Sequence, residues 1–169
     1  MADAIRNGRV TMARSDRLWA PWRGRFLKQR GRRACVFCVA KRSRADRQHL
    51  VIARGRRVFA LLNLYPYNNG HLMIAPYRHL GTLTALTQEE WAEILRMSQR
   101  LTTRVRAVLR PHGFNIGFNL GRSAGSGIPG HLHLHIVPRW NGDTNFMPVL
   151  AHTKIISQSL EELYALLTS

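Results

Sequence analysis

The sequence predicts an α+β domain: an antiparallel sheet of about five strands, one long helix and one short C-terminal helix. Three observations carry this. Short runs rich in β-branched and aromatic residues are separated by turn signals, a long stretch after Thr87 keeps helical apolar spacing, and a second helical pattern closes the chain.

The elements follow in order. Leu50–Ala53 and Val58–Asn63 read as strands. Tyr65-Pro66-Tyr67-Asn68-Asn69-Gly70 is a turn, because proline presets φ and Asn-Gly tolerates positive φ. His71–Ala75 returns antiparallel, and Pro76 ends it. Thr87 and Glu90 form a capping box ahead of Trp91, Ile94, Leu95, Leu101, Val105, Val108 and Leu109, whose spacing is helical. Pro111 and Gly113 close that helix. Phe114–Leu120 alternates as a strand, Gly121–Gly130 is a Gly-rich loop, His131–Val137 is the next strand, and Ser157–Leu167 is the terminal helix.

The 169 residues, 45% of them hydrophobic, suit one domain with one core. Two cysteines exclude a disulfide-built mini-protein. The sequence has no run of eighteen apolar residues to span a membrane and no apolar signal near its start, so a cytoplasmic protein is expected. The net charge of +17 is uneven: residues 1–57 hold 17 of the 26 Lys and Arg, against only Asp3, Asp16 and Asp46. We therefore expect a basic N-terminal extension over residues 1–30 and a single domain over 31–169. The extension reads either as a solvated arm or as a contact for a polyanion. Met12 offers a second start, which would place residues 1–11 outside the working fold.

The most informative segment is Gly130-His131-Leu132-His133-Leu134-His135-Ile136-Val137. In a strand, alternate side chains share a face, so the three imidazoles stand together while Leu132, Leu134 and Ile136 enter the core. Three alternating imidazoles suit either a metal cage or nucleophilic catalysis by one ring oriented by its neighbours. Upstream, Gly125-Ser126-Gly127 lies in a loop whose small residues allow backbone N–H groups close to phosphate oxygens.

These residues resemble the histidine triad (HIT) superfamily of nucleotide hydrolases and transferases. His131-Leu-His133-Leu-His135-Ile-Val matches its motif, and Phe59–Asn63, Pro66 and Gly70–Pro76 resemble its earlier block. The resemblance covers roughly residues 35–147. Gly121-Arg-Ser-Ala-Gly, Pro138-Arg-Trp140, Gly142–Met147 and the leader Leu18–Arg23 are similar to the branch of diadenosine tetraphosphate phosphorylases and hydrolases.

The resemblance implies a HIT-like fold and nucleotidyl transfer from dinucleoside polyphosphates. His133 would attack the α-phosphorus to form a covalent nucleotidyl-histidine, His135 would orient it or assist proton transfer, and phosphate or water would release the nucleotide. Attack requires a neutral ring whose other nitrogen donates to a backbone carbonyl. Gly125, Ser126 and Gly127 would meet the phosphate oxygens, Asn63 a ribose hydroxyl, and Asn119 and Trp140 the phosphate or leaving group. A homodimer is also implied. No organic cofactor is expected.

Cys35-Val-Phe-Cys38 has the spacing of a zinc half-site, and His79 with His131 would complete a tetrahedral Cys₂His₂ set, as in the zinc-binding members of the superfamily. Four protein ligands close the shell, so such a zinc is structural and leaves His133 free. His49, His71, His112 and His152 read as ordinary turn or surface residues. An alternative function is a zinc-stabilised nucleic-acid-binding module using the basic N-terminal third. A third reading makes the triad a catalytic metal cage, with Asp143 as the nearby carboxylate.

Overall fold

The computed structural model describes residues 34–145 and 156–169. The extension expected over 1–30, the Leu18–Arg23 leader, the end of the Gly142–Met147 motif and His152 lie outside those residues.

In chain order the elements are α1 (Val36–Arg42), β1 (Val51–Arg54), β2 (Val58–Leu62), β3 (Leu72–Pro76), a 3₁₀ turn at Leu83–Ala85, α2 (Gln88–Leu109), β4 (Gly113–Phe118), β5 (Leu134–Arg139) and α3 (Leu160–Thr168). The sheet has five strands in the order β1-β2-β3-β5-β4, all neighbours antiparallel. The predicted fold class is therefore the observed one.

Every residue of β2 and β3 is buried, because both faces of the sheet are covered. On one face, Ile94, Met97, Leu101 and Val105 of α2, with Leu163 and Leu167 of α3, pack on Val58, Ala60, Leu62, Leu72, Ile74, Leu134 and Ile136. The helical spacing of three and four brings those α2 residues onto one stripe. Burying each such side chain contributes about 1.5–3 kcal/mol. On the other face, Phe37 and Ala40 of α1 cover Val51, Phe59, Leu61, Met73 and Ala75.

The capping box at α2 is present: Thr87 Oγ1 accepts from the Glu90 N–H at 3.2 Å, and Glu90 Oε2 accepts from the Thr87 N–H at 2.9 Å. Glu90 is buried and also receives Arg78, whose Nη2 lies 2.6 Å away. Ser159 and Glu162 repeat the box at α3. Each cap is worth roughly 1 kcal/mol.

Three differences from the sequence reading matter. Helix α1 was not anticipated; it is short, starts at Cys35 without a side-chain cap, and exposes Val36 and Val39. Helix α2 ends ahead of Pro111 as expected, on Arg110 in the left-handed region (φ 49°), but Gly113, expected to help close it, opens β4 instead. Strand β5 starts at Leu134 rather than His131. The His131 N–H closes a turn onto the Ile128 carbonyl (3.1 Å), and the Leu132 N–H bonds the Leu80 carbonyl (2.6 Å), so those residues do not join the β3 ladder.

Candidate functional site

Strand β5 places Leu134 and Ile136 in the helical core, which turns His135 to the opposite face. There His135 pairs across to Met73 of β3 and Gly117 of β4. His131, His133 and His135 are all buried, at 0, 5 and 7% exposure. Phe37 of α1 packs against two of them, 4.9 Å from the His131 ring and 4.8 Å from the His133 ring. The unanticipated helix thus covers the imidazole row.

Hydrogen bonds assign the tautomers. His133 Nδ1 lies 2.7 Å from the His131 carbonyl oxygen, so Nδ1–H donates and Nε2 keeps its lone pair. His71 Nδ1 accepts from the Tyr67 N–H at 3.0 Å, which leaves the proton on His71 Nε2. That nitrogen donates to His135 Nδ1 at 2.8 Å, so His135 carries its own proton on Nε2. The rings of His133 and His135 are 4.7 Å apart. An unprotonated nitrogen therefore stands beside an N–H donor, the pairing that nucleophilic attack on a phosphoryl group with stabilisation of its oxygens requires.

Burial keeps these rings neutral. It is the main cause pushing His71 down to about 3 and His135 to about 4, assisted by charge repulsion from neighbouring imidazoles. His133 is lowered by burial against the opposing effect of its bond to the His131 carbonyl.

His71 is not the surface residue that its place after a turn suggested: it is 1% exposed and holds His135. Its alternation with Met73 and Ala75, on a strand antiparallel to β5, is the signal that identifies its face. Tyr67 was also missed. It stacks on His135 with ring centroids 5.5 Å apart, and its ring lies 4.6 Å from that of His71.

The expected substrate contacts are partly assembled. Half-buried Asn119 follows β4, with Nδ2 3.4 Å from His135 Nε2 and 3.4 Å from the Tyr67 hydroxyl. Asn63 follows β2; its Oδ1 accepts from the Tyr65 N–H at 2.9 Å, and its Nδ2 lies 3.3 Å from His71 Nδ1. The loop, expected to supply donors to phosphate oxygens, uses part of its backbone internally. The Gly125 N–H bonds the Arg122 carbonyl (2.9 Å) and the Ser126 N–H bonds the Gly121 carbonyl (3.2 Å), so two amides serve the loop's own turns. Gly125 has φ 90°, which favours glycine. Ser126 is buried and Gly127 half-buried. Trp140 is half-buried just beyond β5, and its N–H donates to Asp143 Oδ2 at 3.1 Å.

Cys35, Cys38, His79 and His131 converge, with one donor atom from each lying within 4.8 Å of the others. His131 Nδ1 is 3.3 Å from Cys35 Sγ and 3.7 Å from Cys38 Sγ; His79 Nδ1 is 3.2 Å from Cys38 Sγ. Tetrahedral bonds of ~2.0 Å to nitrogen and ~2.3 Å to sulfur would hold donors roughly 3.3–3.8 Å apart. His131 Nε2 donates to the Pro76 carbonyl at 2.9 Å, the outer hydrogen bond that fixes a metal-binding imidazole with its other nitrogen facing the ion. The residues therefore fit a Cys₂His₂ metal site. His133 and His135 belong to no such group among the described residues.

No helix among the described residues is long and apolar enough to cross a membrane. The HIT domain family model matches residues 44–142. A Mycobacterium tuberculosis protein named AP-4-A phosphorylase is 42% identical, covering 91% of this chain and 83% of its own. A zinc-bound histidine triad family protein from Mycobacterium smegmatis superposes with a TM-score of 0.62 at 30% identity, over 80% of this chain and 91% of that one. A hypothetical histidine triad nucleotide-binding protein from Sulfolobus tokodaii shares the fold with a TM-score of 0.63 at 23% identity, over 79% and 89% of the two chains.

Proposed function

The chain belongs to the HIT domain family, and from that premise we propose that it cleaves dinucleoside polyphosphates of the diadenosine tetraphosphate kind by nucleotidyl transfer through His133. The name of the mycobacterial relative at 42% identity supports this substrate class. The observation that carries the mechanism is the 2.7 Å bond from His133 Nδ1 to the His131 carbonyl, which directs the lone pair to Nε2.

In the first step His133 Nε2 bonds to the α-phosphorus, and the bond from that phosphorus to the bridging oxygen breaks. The remaining nucleoside polyphosphate leaves with the bond's electrons. His135 Nε2–H donates to a phosphate oxygen, held in that tautomer by His71. Gly125 sets the turn that brings Ser126 and Gly127 to the phosphate chain, Asn119 and Trp140 contact it as well, and Asn63 meets a ribose hydroxyl. In the second step phosphate or water attacks the same phosphorus and frees His133.

Zinc is the metal that Cys35, Cys38, His79 and His131 suit. It would supply stability, its four protein ligands leaving no position for substrate. The HIT-like domain would run from residue 31 to 169 behind a basic extension, in a cytoplasmic homodimer. Nucleic-acid binding by the extension is the less favoured reading.

The test is rapid quenching with diadenosine tetraphosphate, followed by mass analysis. We expect a nucleotidyl adduct on His133 and its absence in His133→Ala. Full turnover by that variant would remove the proposal. Product analysis then names the acceptor: ADP formed only with phosphate means phosphorolysis, and AMP means hydrolysis.

A further inference from the structure

Cys35 and Cys38 are the two cysteines of the chain; both are half-buried and neither is in a disulfide. Their Sγ atoms lie within 4.8 Å of one another and of the His79 and His131 ring nitrogens. The group has an inner and an outer edge. Fully buried His131 meets Cys35 at 3.3 Å, whereas exposed His79 meets Cys38 at 3.2 Å. A small polar oxidant in solution therefore reaches the sulfurs from the Cys38 side.

The local backbone suits a bond between these two sulfurs. Residues three apart at a helix start have Cβ atoms about 5–6 Å apart, and a disulfide needs about 3.5–4.5 Å. Cys35 has the freedom to close that gap, because it precedes α1 with a non-helical ψ of 119° and its side chain makes no capping bond. A sulfur bonded to Cys38 has also lost the negative charge with which it holds a metal beside His131.

Oxidation there reaches the imidazole row by two routes. Phe37 stands between the two cysteines in sequence, with its ring 4.9 Å from that of His131 and 4.8 Å from that of His133. Within α1 only Phe37 and Ala40 are buried, so little packing resists a shift of this helix. The second route is the His131 carbonyl, which fixes Nδ1 of His133 and belongs to a residue whose ring is part of the metal-binding group.

We propose that Cys35 and Cys38 are a peroxide-sensitive dithiol that closes to a disulfide, expels the metal and switches off His133 until it is reduced. The effect on turnover rests on the nucleotidyl-transfer reading above; the oxidation does not. The Cys38 thiolate attacks one oxygen of the peroxide. An S–O bond forms as the O–O bond breaks, and the departing hydroxide takes a proton to become water. The Cys35 thiolate then attacks the Cys38 sulfur, forming the S–S bond and breaking S–O, and a second hydroxide leaves and is protonated. The sulfurs lose two electrons, the peroxide gains them, and two protons are consumed. With no third cysteine in the chain, Cys35 is the thiol within it that resolves the sulfenic acid.

The test uses the full chain, reduced, loaded with zinc and exposed to excess hydrogen peroxide at neutral pH. We expect zinc release, read with a chelating dye, at least as fast as free cysteine is consumed in the same solution. The denatured chain should be lighter by two hydrogens, with Cys35 linked to Cys38 in the peptide map. Dimedone present during oxidation should label Cys38. Turnover of diadenosine tetraphosphate should fall at least tenfold and return with a thiol reductant and zinc. That recovery separates the switch from methionine damage, because the sulfoxide needs its own reductase. Retained zinc, slower release, sulfinic or sulfonic acids in place of the disulfide, or a bond between two chains would overturn the proposal. So would a dimedone label on Cys35 alone, or full turnover by protein shown to carry the disulfide. An untreated protein that cleaves no dinucleotide refutes nucleotidyl transfer instead. The dithiol is then judged by zinc release and the peptide map, which uphold it together and refute it if either fails.

Discussion

The carbonyl of His131 holds Nδ1 of His133 at 2.7 Å, while the ring of His131 turns its own Nδ1 to Cys35 at 3.3 Å. One residue thus faces the candidate metal ligands with its side chain and the proposed nucleophile with its backbone. Removing the metal should therefore loosen both. We expect chelation to lower the melting temperature by more than about 5 °C and Cys38→Ser to do the same. Calorimetry with metal analysis on the same samples checks this, and an unchanged melting temperature in metal-free protein would contradict it.

In the proposed reaction His71 acts through His135. Without it, the buried Nδ1 of His135 loses its donor, at a cost of about 1–3 kcal/mol. His71→Ala should therefore lower kcat about 5- to 150-fold with little change in KM. His71→Gln, which restores a side-chain donor, should recover part of it. Proton and nitrogen NMR of the imidazoles should show the His135 proton moving from Nε2 in the alanine variant. An unaltered tautomer would argue that His71 only fills space.

The same pair sets an acid limit on stability. His71 and His135 are held at about 3 and about 4 in the fold, against the ordinary value of 6.5. Between those values the unfolded chain binds protons that the folded one refuses, so stability is complete above about pH 6.5 and falls as pH drops. Each ring contributes about 1.4 kcal/mol per pH unit across its window. Urea unfolding of metal-loaded protein from pH 7 to 4.5 should show this fall, with a shallower slope in His71→Gln. Equal slopes in the two proteins would show that these imidazoles do not set it.

Phe37 ties the outer helix to the imidazoles. It is 0% exposed and meets both His131 and His133. Phe37→Ala should cost about 3–5 kcal/mol. Turnover should fall as well, because the cavity frees the His133 ring. Phe37→Leu should retain most of both. Denaturant curves and steady-state kinetics on the two variants check this.

Local signals made the frame legible. Thr87 and Glu90 mark the start of α2 because a capping box lies within four consecutive residues. The β2–β3 pair follows from Tyr65–Gly70 and its flanking apolar runs. What escaped the sequence reading depends on contacts between distant segments. His71 is buried because β3 pairs with β5, 64 residues from its partner His135. Helix α1 has few helical signals of its own and is held by Phe37 and Ala40 packing on the sheet. The start of β5 moved to Leu134 because Leu80 captured the Leu132 amide, a loop partner that periodicity cannot show.

The alignment of β3 with β5 sets Met73 against His135 and Ile74 against Leu134. Sliding one strand by a single residue would exchange the two surfaces, turning isoleucine to the imidazole face and imidazole to oil. A one-residue slip would for that reason dismantle the imidazole face, and turnover, if nucleotidyl transfer is the activity, would double as an assay of strand alignment.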